Sequence, residues 1–194
     1  EKTAFYDLPG WYDLIHAEGT GDEVWLLERL FAAHGNGGRS WLEPACGTGR
    51  LLAGLAKHGW ELTGYDANER ALAFARQRLK RWAGRVRLLK GRMETFKDSA
   101  RFDCAFNLMS TFRHLLTDKV ALAHLRATAA SLRPGGLYII GLDLADYRYP
   151  DPDEETAYAS TPGRKAWHVM MTLPAEKRRR RERILNFLTL RDKS

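Results

Sequence analysis

The chain has few of the features that define several protein classes. Its 194 residues include two cysteines, Cys46 and Cys104, too few for a disulfide framework or a four-ligand zinc site. His16, His34, His58, His124 and His168 show no metal-ligand spacing, so no metal is expected. No segment approaches the ~18 unbroken apolar residues of a spanning helix, which excludes that kind of membrane protein. No basic-then-apolar leader opens the sequence, so secretion is not suggested, and a reducing cytoplasm is the expected compartment. Repeats and low-complexity tracts are missing too. What is present is enough for one domain with a proper core: 44% apolar and 28% charged residues, an ordinary mix. The net charge of +7 is mostly local. Lys177-Arg178-Arg179-Arg180-Arg181-Glu182-Arg183 carries +5, which leaves the rest close to balanced at +2. Such a run reads first as a solvated turn or strand edge, and second as a patch for an acidic partner.

Short apolar strands alternate with longer amphipathic segments. Residues 21–34 place Val24, Leu27, Leu30 and Phe31 on one helical face, stopped by Gly35. Ser40-Trp41-Leu42 is a strand ending at Glu43, and Gly49 to His58 a helix closed by Gly59. Trp60 to Tyr65 is a second strand ending at Asp66, and Asn68 caps a helix running to Trp82. Val86 to Leu89 and Phe102 to Asn107 are further strands. Residues 117–132 form a helix closed by Arg133-Pro134-Gly135-Gly136, and Leu137 to Leu142 a fifth strand. The pattern predicts an α/β fold, a doubly wound and mostly parallel sheet with helices on both faces. Residues 146–164, rich in proline and acids, read as a loop or lid. Trp167 to Leu173 and Arg183 to Leu190 read as a C-terminal antiparallel hairpin around the basic run.

In a doubly wound sheet, ligands bind off the carboxyl ends of the strands, and four consecutive ends carry candidates. Glu43-Pro44-Ala45-Cys46-Gly47-Thr48-Gly49 follows the first strand, where small residues let a backbone approach a ligand and a helix begins. It is not the dinucleotide fingerprint, because position 52 is Leu, and no Gly-Lys-Ser/Thr follows to make a phosphate loop. Asp66 ends the second strand, where a carboxylate can accept ribose hydroxyls. Met93, after the third, can lie against a flat base, and Asn107 ends the fourth. Cys46 reads as a packing residue, since no base is placed beside it.

EPACGTGRLL, GYDANERAL, GRMETF, FDCAFNLMSTFRHL and LRPGGLYIIGLDL together resemble the class I, Rossmann-like S-adenosylmethionine-dependent methyltransferases over residues 40–145. An N-terminal Tyr-Asp segment, Tyr6-Asp7 and Tyr12-Asp13, resembles that of small-molecule members. The resemblance implies S-adenosyl-L-methionine as cofactor. It implies that Glu43, Ala45, Gly47 and Gly49 bed its methionine part, that Asp66 holds the ribose, and that Ala67 and Met93 flank the adenine. Asn107 and Leu108 would border the reactive methyl, and Tyr6 or Tyr12 would close over the cofactor. Two positions depart from the family pattern. Ala45 replaces a glycine, which ordinary backbone angles would tolerate. Arg92 stands where an acid usually meets the adenine amino group, leaving that contact to backbone groups or Glu94.

On this reading 1–194 is a single methyltransferase domain, with an N-terminal helical lid at 1–39, a cofactor-binding core at 40–145, and a loop and hairpin at 146–194. The hairpin stands where the family's last two strands are expected, or else the C-terminus is truncated. Methyl transfer depends mainly on alignment of acceptor, methyl and sulfur. A general base is needed only for a protonated acceptor, and His114 is the candidate. Arg113, His114 and Trp167 are candidate acceptor contacts, and Tyr147, Tyr149 and Tyr158 candidate pocket aromatics. The expected acceptor is a small molecule, with N- or O-methylation open. The rivals are an RNA methyltransferase using residues 177–183 and a non-catalytic cofactor-binding protein.

Overall fold

The structure is a computed structural model that describes residues 5–145, 147–148 and 151–192. In chain order its elements are α1 (Pro9–Ile15), α2 (Thr20–His34), β1 (Ser40–Pro44), α3 (Arg50–Lys57), β2 (Glu61–Asp66), α4 (Glu69–Leu79), β3 (Val86–Lys90), β4 (Phe102–Asn107), α5 (Asp118–Ser131), β5 (Leu132–Ile140), β6 (Asp153–Thr161), β7 (Arg164–Thr172) and β8 (Ile184–Asp192). Two compact units form, one from Glu1–Pro9 and Glu18–Leu142, the other from Gly10–Ala17 and Asp143–Ser194.

The first unit is built on a five-stranded parallel sheet in the order β3-β2-β1-β4-β5. The order reverses between β1 and β4, so the expected doubly wound topology is present, with its switch point at those two strand ends. Trp41, Leu62, Cys104 and Phe106 pack under α2, α3 and α4 through Val24, Leu27, Phe31, Leu52, Leu55 and Leu72. Leu42, Tyr65, Phe102 and Ala105 form a second apolar layer with Met93 and Phe96. There the α5 side chain His124 reaches Tyr138 of β5 at 2.6 Å. Burying the largest of these side chains stabilises the unit by roughly 1.5–3 kcal/mol each. Among the buried polar groups, Glu43 and Asn107 lie at the switch point.

Three details differ from the sequence reading. The helix capped by Asn68 stops at Leu79 and tightens into a 3-10 turn over Lys80–Trp82. Trp60 precedes β2 instead of starting it, its ring 4.4 Å from Trp41 and its Nε1 donating to Glu28 at 2.7 Å. β5 takes in the expected helix stop, because Leu132 pairs with Phe102 before the register shifts to Cys104–Leu137 and leaves the Pro-Gly-Gly segment as an irregularity.

The second unit is a three-stranded antiparallel sheet, β6-β7-β8, with α1. The expected hairpin is there as β7 and β8, and the expected lid is corrected. Residues 153–161 are a strand, since Pro152 and Pro162 flank the ladder and remove no hydrogen bond from it. The basic run forms the tip of the β7–β8 hairpin, where Arg181 bridges to Glu176 and Arg179 pairs with Glu176 at 3.3 Å. Among the described residues no helix is long and apolar enough to cross a membrane.

Candidate functional site

The loop after β1 folds tightly because its backbone bonds are local. The Cys46 N–H donates to the Tyr65 carbonyl at 3.0 Å and the Gly49 N–H to the Cys46 carbonyl at 2.9 Å. Gly49 has φ +67°, and a Cβ there would meet Leu79 at 2.8 Å, so glycine is required. Gly47 has φ +52°, and a Cβ would meet nothing within 4 Å, which leaves its face of the loop open. Ala45 also sits at positive φ, +51°. The expectation of ordinary angles is therefore corrected: the chain keeps a strained residue where a glycine would relax.

Asp66 ties this loop to the next strand end. Its Oδ2 accepts the Gly47 N–H at 2.7 Å and its Oδ1 the Asn68 N–H at 2.7 Å. A carboxylate has about four acceptor sites, so each oxygen retains capacity for a ligand hydroxyl. Ala67 beside it is exposed. Asn68 does two jobs. Its Oδ1 caps α4 by accepting from Arg70 and Ala71, and its Nδ2 donates to the Tyr6 carbonyl at 3.1 Å and to Asp7 Oδ1 at 2.9 Å. The sequence showed only the cap.

Glu43 and Asn107 face the switch point from adjacent strands. Glu43 Oε2 and Asn107 Oδ1 are both buried and have no hydrogen-bond partner among the described residues. Asn107 is oriented by its Nδ2, which donates to the Pro44 carbonyl at 2.9 Å. Burial pushes the Glu43 carboxyl well above the usual range; Arg50 opposes this, while Asp66 and Glu23 add to it. Cys46, equally buried near Glu43 and Asp66, is pushed up as well, which leaves it an inert thiol.

Met93 is buried, and its carbonyl accepts from His124 Nδ1 at 3.1 Å. Arg92 turns to Glu94, Nε to Oε1 at 2.7 Å, and this bond holds the Glu94 carboxyl below its ordinary value. After β4, Met109 and Ser110 both have φ above +50°, a strained turn before the 3-10 helix Thr111–His114. His114 Nε2 lies 3.0 Å from the Tyr6 hydroxyl, with the rings edge to face. Burial and the Arg113 charge lower the His114 pKa, so the imidazole is neutral near pH 7. The Tyr6 ring is half exposed, but its hydroxyl end is desolvated and faces the Asp66 charge, which holds its pKa above the ordinary phenol value.

The first unit thus gathers Tyr6, Glu43, Ala45, Gly47, Gly49, Asp66, Ala67, Met93, Asn107, Leu108, Arg113 and His114 at its strand ends and the segments beside them. Tyr12 and Trp167 belong to the second unit: the Tyr12 ring is 4.4 Å from His16, and Trp167 lies 5.1 Å from Tyr158. Tyr149 falls outside the described residues. Among the described residues no group of three or more potential ligands could hold a metal ion.

Residues 42–136 match the family described as a methyltransferase domain. A protein of Geobacillus sp. (strain WCH70), provisionally named a methyltransferase, is 24% identical over 76% of this chain and 64% of its own length. YqeM of Bacillus subtilis (strain 168), named in the same way, is 26% identical over 60% of this chain and 51% of its own. The chain therefore spans between half and two thirds of these curated relatives. Among solved structures, Streptomyces venezuelae DesVI aligns with a TM-score of 0.77 at 20% identity, over all of this chain and 85% of that one. CalS10, an amino pentose methyltransferase from Micromonospora echinaspora solved with S-adenosylmethionine, aligns with a TM-score of 0.73 at 23% identity and the same coverage. KedS8, a sugar N-methyltransferase from Streptoalloteichus, aligns at 0.73 and 19% identity, over 99% and 79%. The similarity to these solved structures establishes the fold, and residues 42–136 match the methyltransferase-domain family.

Proposed function

We propose that this chain binds S-adenosylmethionine at the β1–β4 switch point and methylates a small-molecule acceptor, an amine on a sugar-like ring. The carrying observation is the pair of buried acceptors without partners, Glu43 Oε2 and Asn107 Oδ1. Leaving such groups unsatisfied costs about 1–3 kcal/mol each, which a ligand with hydrogen-bond donors would relieve. The cofactor's α-ammonium has those donors and a positive charge that suits the Glu43 carboxylate. The remaining acceptor sites of Asp66 suit ribose hydroxyls, and Ala67 and Met93 flank the adenine. Glu94, kept ionised by Arg92, takes the amino-group contact that Arg92 cannot make.

When bound, the cofactor supplies a methyl group activated by its sulfonium. The chain's own part is alignment and proton management. Leu108 borders the reacting methyl, and Tyr6, held by Asn68, covers the site. His114 is the neutral base that takes an acceptor proton, with the Tyr6 hydroxyl as its hydrogen-bond partner. The amine is supported by the amino pentose and sugar N-methyltransferase neighbours. The cytoplasm suits the two buried free thiols.

Calorimetric titration with S-adenosylmethionine tests the site, and transfer of labelled methyl to a panel of amino sugars, with and without ribonuclease, tests the acceptor. Saturable binding and ribonuclease-insensitive label in a small product are expected. No binding overturns the cofactor reading; label lost with ribonuclease overturns the acceptor.

A further inference from the structure

His124 on α5 is fully buried beside the apolar layer that holds Met93 and Tyr138. An imidazole there costs free energy unless both nitrogens are satisfied, a cost that a leucine would not incur. Both are satisfied. Nδ1 lies 3.1 Å from the Met93 carbonyl and Nε2 2.6 Å from the Tyr138 hydroxyl. A carbonyl only accepts, so in the neutral ring Nδ1 carries the proton and Nε2 accepts from Tyr138. Burial favours that neutral ring, against the Met93 bond and the Glu94 charge. Burial also raises the Tyr138 pKa, so its hydroxyl stays a donor. The Thr128 hydroxyl, one turn along α5, is 3.5 Å from Nδ1 as a second, weaker acceptor, and the Phe112 ring is 5.9 Å away. Tautomer and ring orientation are therefore both set by the fold.

The group that this ring holds belongs to the loop after β3. The peptide between Met93 and Glu94 is trans and planar, so a carbonyl directed at His124 sends the Glu94 N–H the opposite way. That N–H meets the Glu94 carboxylate: after the Arg92 bond it is the next influence lowering the Glu94 pKa. A relay thus runs from Tyr138 on β5, through His124 on α5, to the Met93 carbonyl and the half-buried carboxylate beside it. Its far end is the pair of side chains assigned above to the adenine.

We propose that His124 is a positioning residue of the adenine site: held by Tyr138, its Nδ1–H fixes the Met93–Glu94 peptide, so that the Glu94 carboxylate meets the adenine amino group. This rests on the cofactor reading above and adds to it the residue that sets base specificity. Calorimetric titration of the full chain tests it with two probes, S-adenosylhomocysteine and its purine-riboside analogue, which carries hydrogen in place of the amino group. Wild type is expected to prefer the adenine form by about tenfold or more, the worth of one hydrogen bond to a charged group. His124→Leu should lower affinity for the adenine form to that of the analogue, and leave the analogue's own affinity nearly unchanged. His124→Asn, whose Nδ2 can stand where Nδ1 stood, should restore most of the preference. Tyr138→Phe, which keeps the imidazole, should cost part of it. The nitrogen-15 shifts of His124 in the wild type should show the proton on Nδ1, a measurement that needs no variant to fold. Equal loss of both probes in His124→Leu makes the residue structural only and overturns the proposal. So does a wild type that binds both probes equally, a failed rescue by Asn, or a proton on Nε2. A wild type that binds neither probe overturns the cofactor reading and this inference with it.

Discussion

Ala45 carries a conflict between side chain and backbone. A non-glycine residue in the left-handed region costs roughly 1–2 kcal/mol, and here the strain sits in the loop that beds the proposed cofactor. Replacing it by glycine removes the strain, while the freer unfolded chain and a lost methyl contact take part of the gain back. Ala45→Gly is therefore expected to stabilise the chain by about 0.5–1 kcal/mol, measured by urea unfolding with an unchanged slope; a loss of stability would show that the methyl contact outweighs the strain. Asn68 allows a cleaner separation of roles. Asn68→Asp keeps the α4 cap but removes the amide that holds Tyr6 and Asp7 and places a carboxylate against Asp7. Its melting temperature should stay near wild type while the KM for cofactor rises about tenfold; equal loss of both would make Asn68 a cap only. Asp66→Ala should weaken cofactor binding more than tenfold, and unchanged affinity in the same titration would sink the ribose role. Most of the candidate site, as proposed, was legible as residue types at strand ends. The Ala45 backbone angle, the second role of Asn68 and the Tyr6–His114 contact were not, because a dihedral angle and a hydrogen bond across 108 residues leave no mark on local pattern.

At the scale of elements, Asp103 is the buried charge on which several strand starts depend. It accepts from the Ser40 N–H at 2.9 Å, Arg133 at 2.7 Å and Asn36 at 3.2 Å, which joins the beginnings of β1 and β5 and the preceding turn to β4. A Cβ on Gly38 would fall 2.0 Å from its carboxyl, so the turn is shaped around it. Asp103→Ala should cost about 2–4 kcal/mol, from lost charge-assisted bonds and a stranded Ser40 N–H, seen in the same unfolding assay; a change below about 1 kcal/mol would mean that water replaces the carboxylate. The five parallel strands could be read from sequence because each is a short apolar run after a turn and before a helix. β6 could not. Its first three residues are acidic, its only apolar residues, Ala157, Tyr158 and Ala159, are consecutive and show no alternation, and it is exposed along most of its length, so its composition matches a loop. The start of β5 was hidden for another reason: Pro134-Gly135-Gly136 has the local chemistry of a stop, and only pairing with Phe102 extends the strand across it.

For the whole molecule, the titrating groups pull stability in two directions with pH. Burial lowers the pKa of His114 and His124, the latter against its bond to Met93. A histidine with a depressed folded pKa contributes stability above its unfolded value, near 6.5, that is lost as pH falls. Asp98 and Asp103 act likewise at lower pH: burial raises both, but bonds to backbone N–H groups and to Arg87 and Arg133 outweigh it, and their contribution disappears as pH falls through the depressed values. Glu43 acts oppositely. Its raised folded pKa means that its buried carboxyl is easiest to keep when protonated, so its effect on stability worsens as pH rises through that value. A cationic ligand reverses this, because it favours the carboxylate. The apparent melting temperature is therefore expected to fall on acidification below about pH 6.5, and the shift produced by S-adenosylmethionine should grow as pH rises. Glu43→Gln should flatten the growth of that shift while leaving the acid limb in place. Differential scanning fluorimetry across pH, with and without cofactor, on both proteins checks it; a shift independent of pH in the wild type would mean that Glu43 does not meet the ammonium.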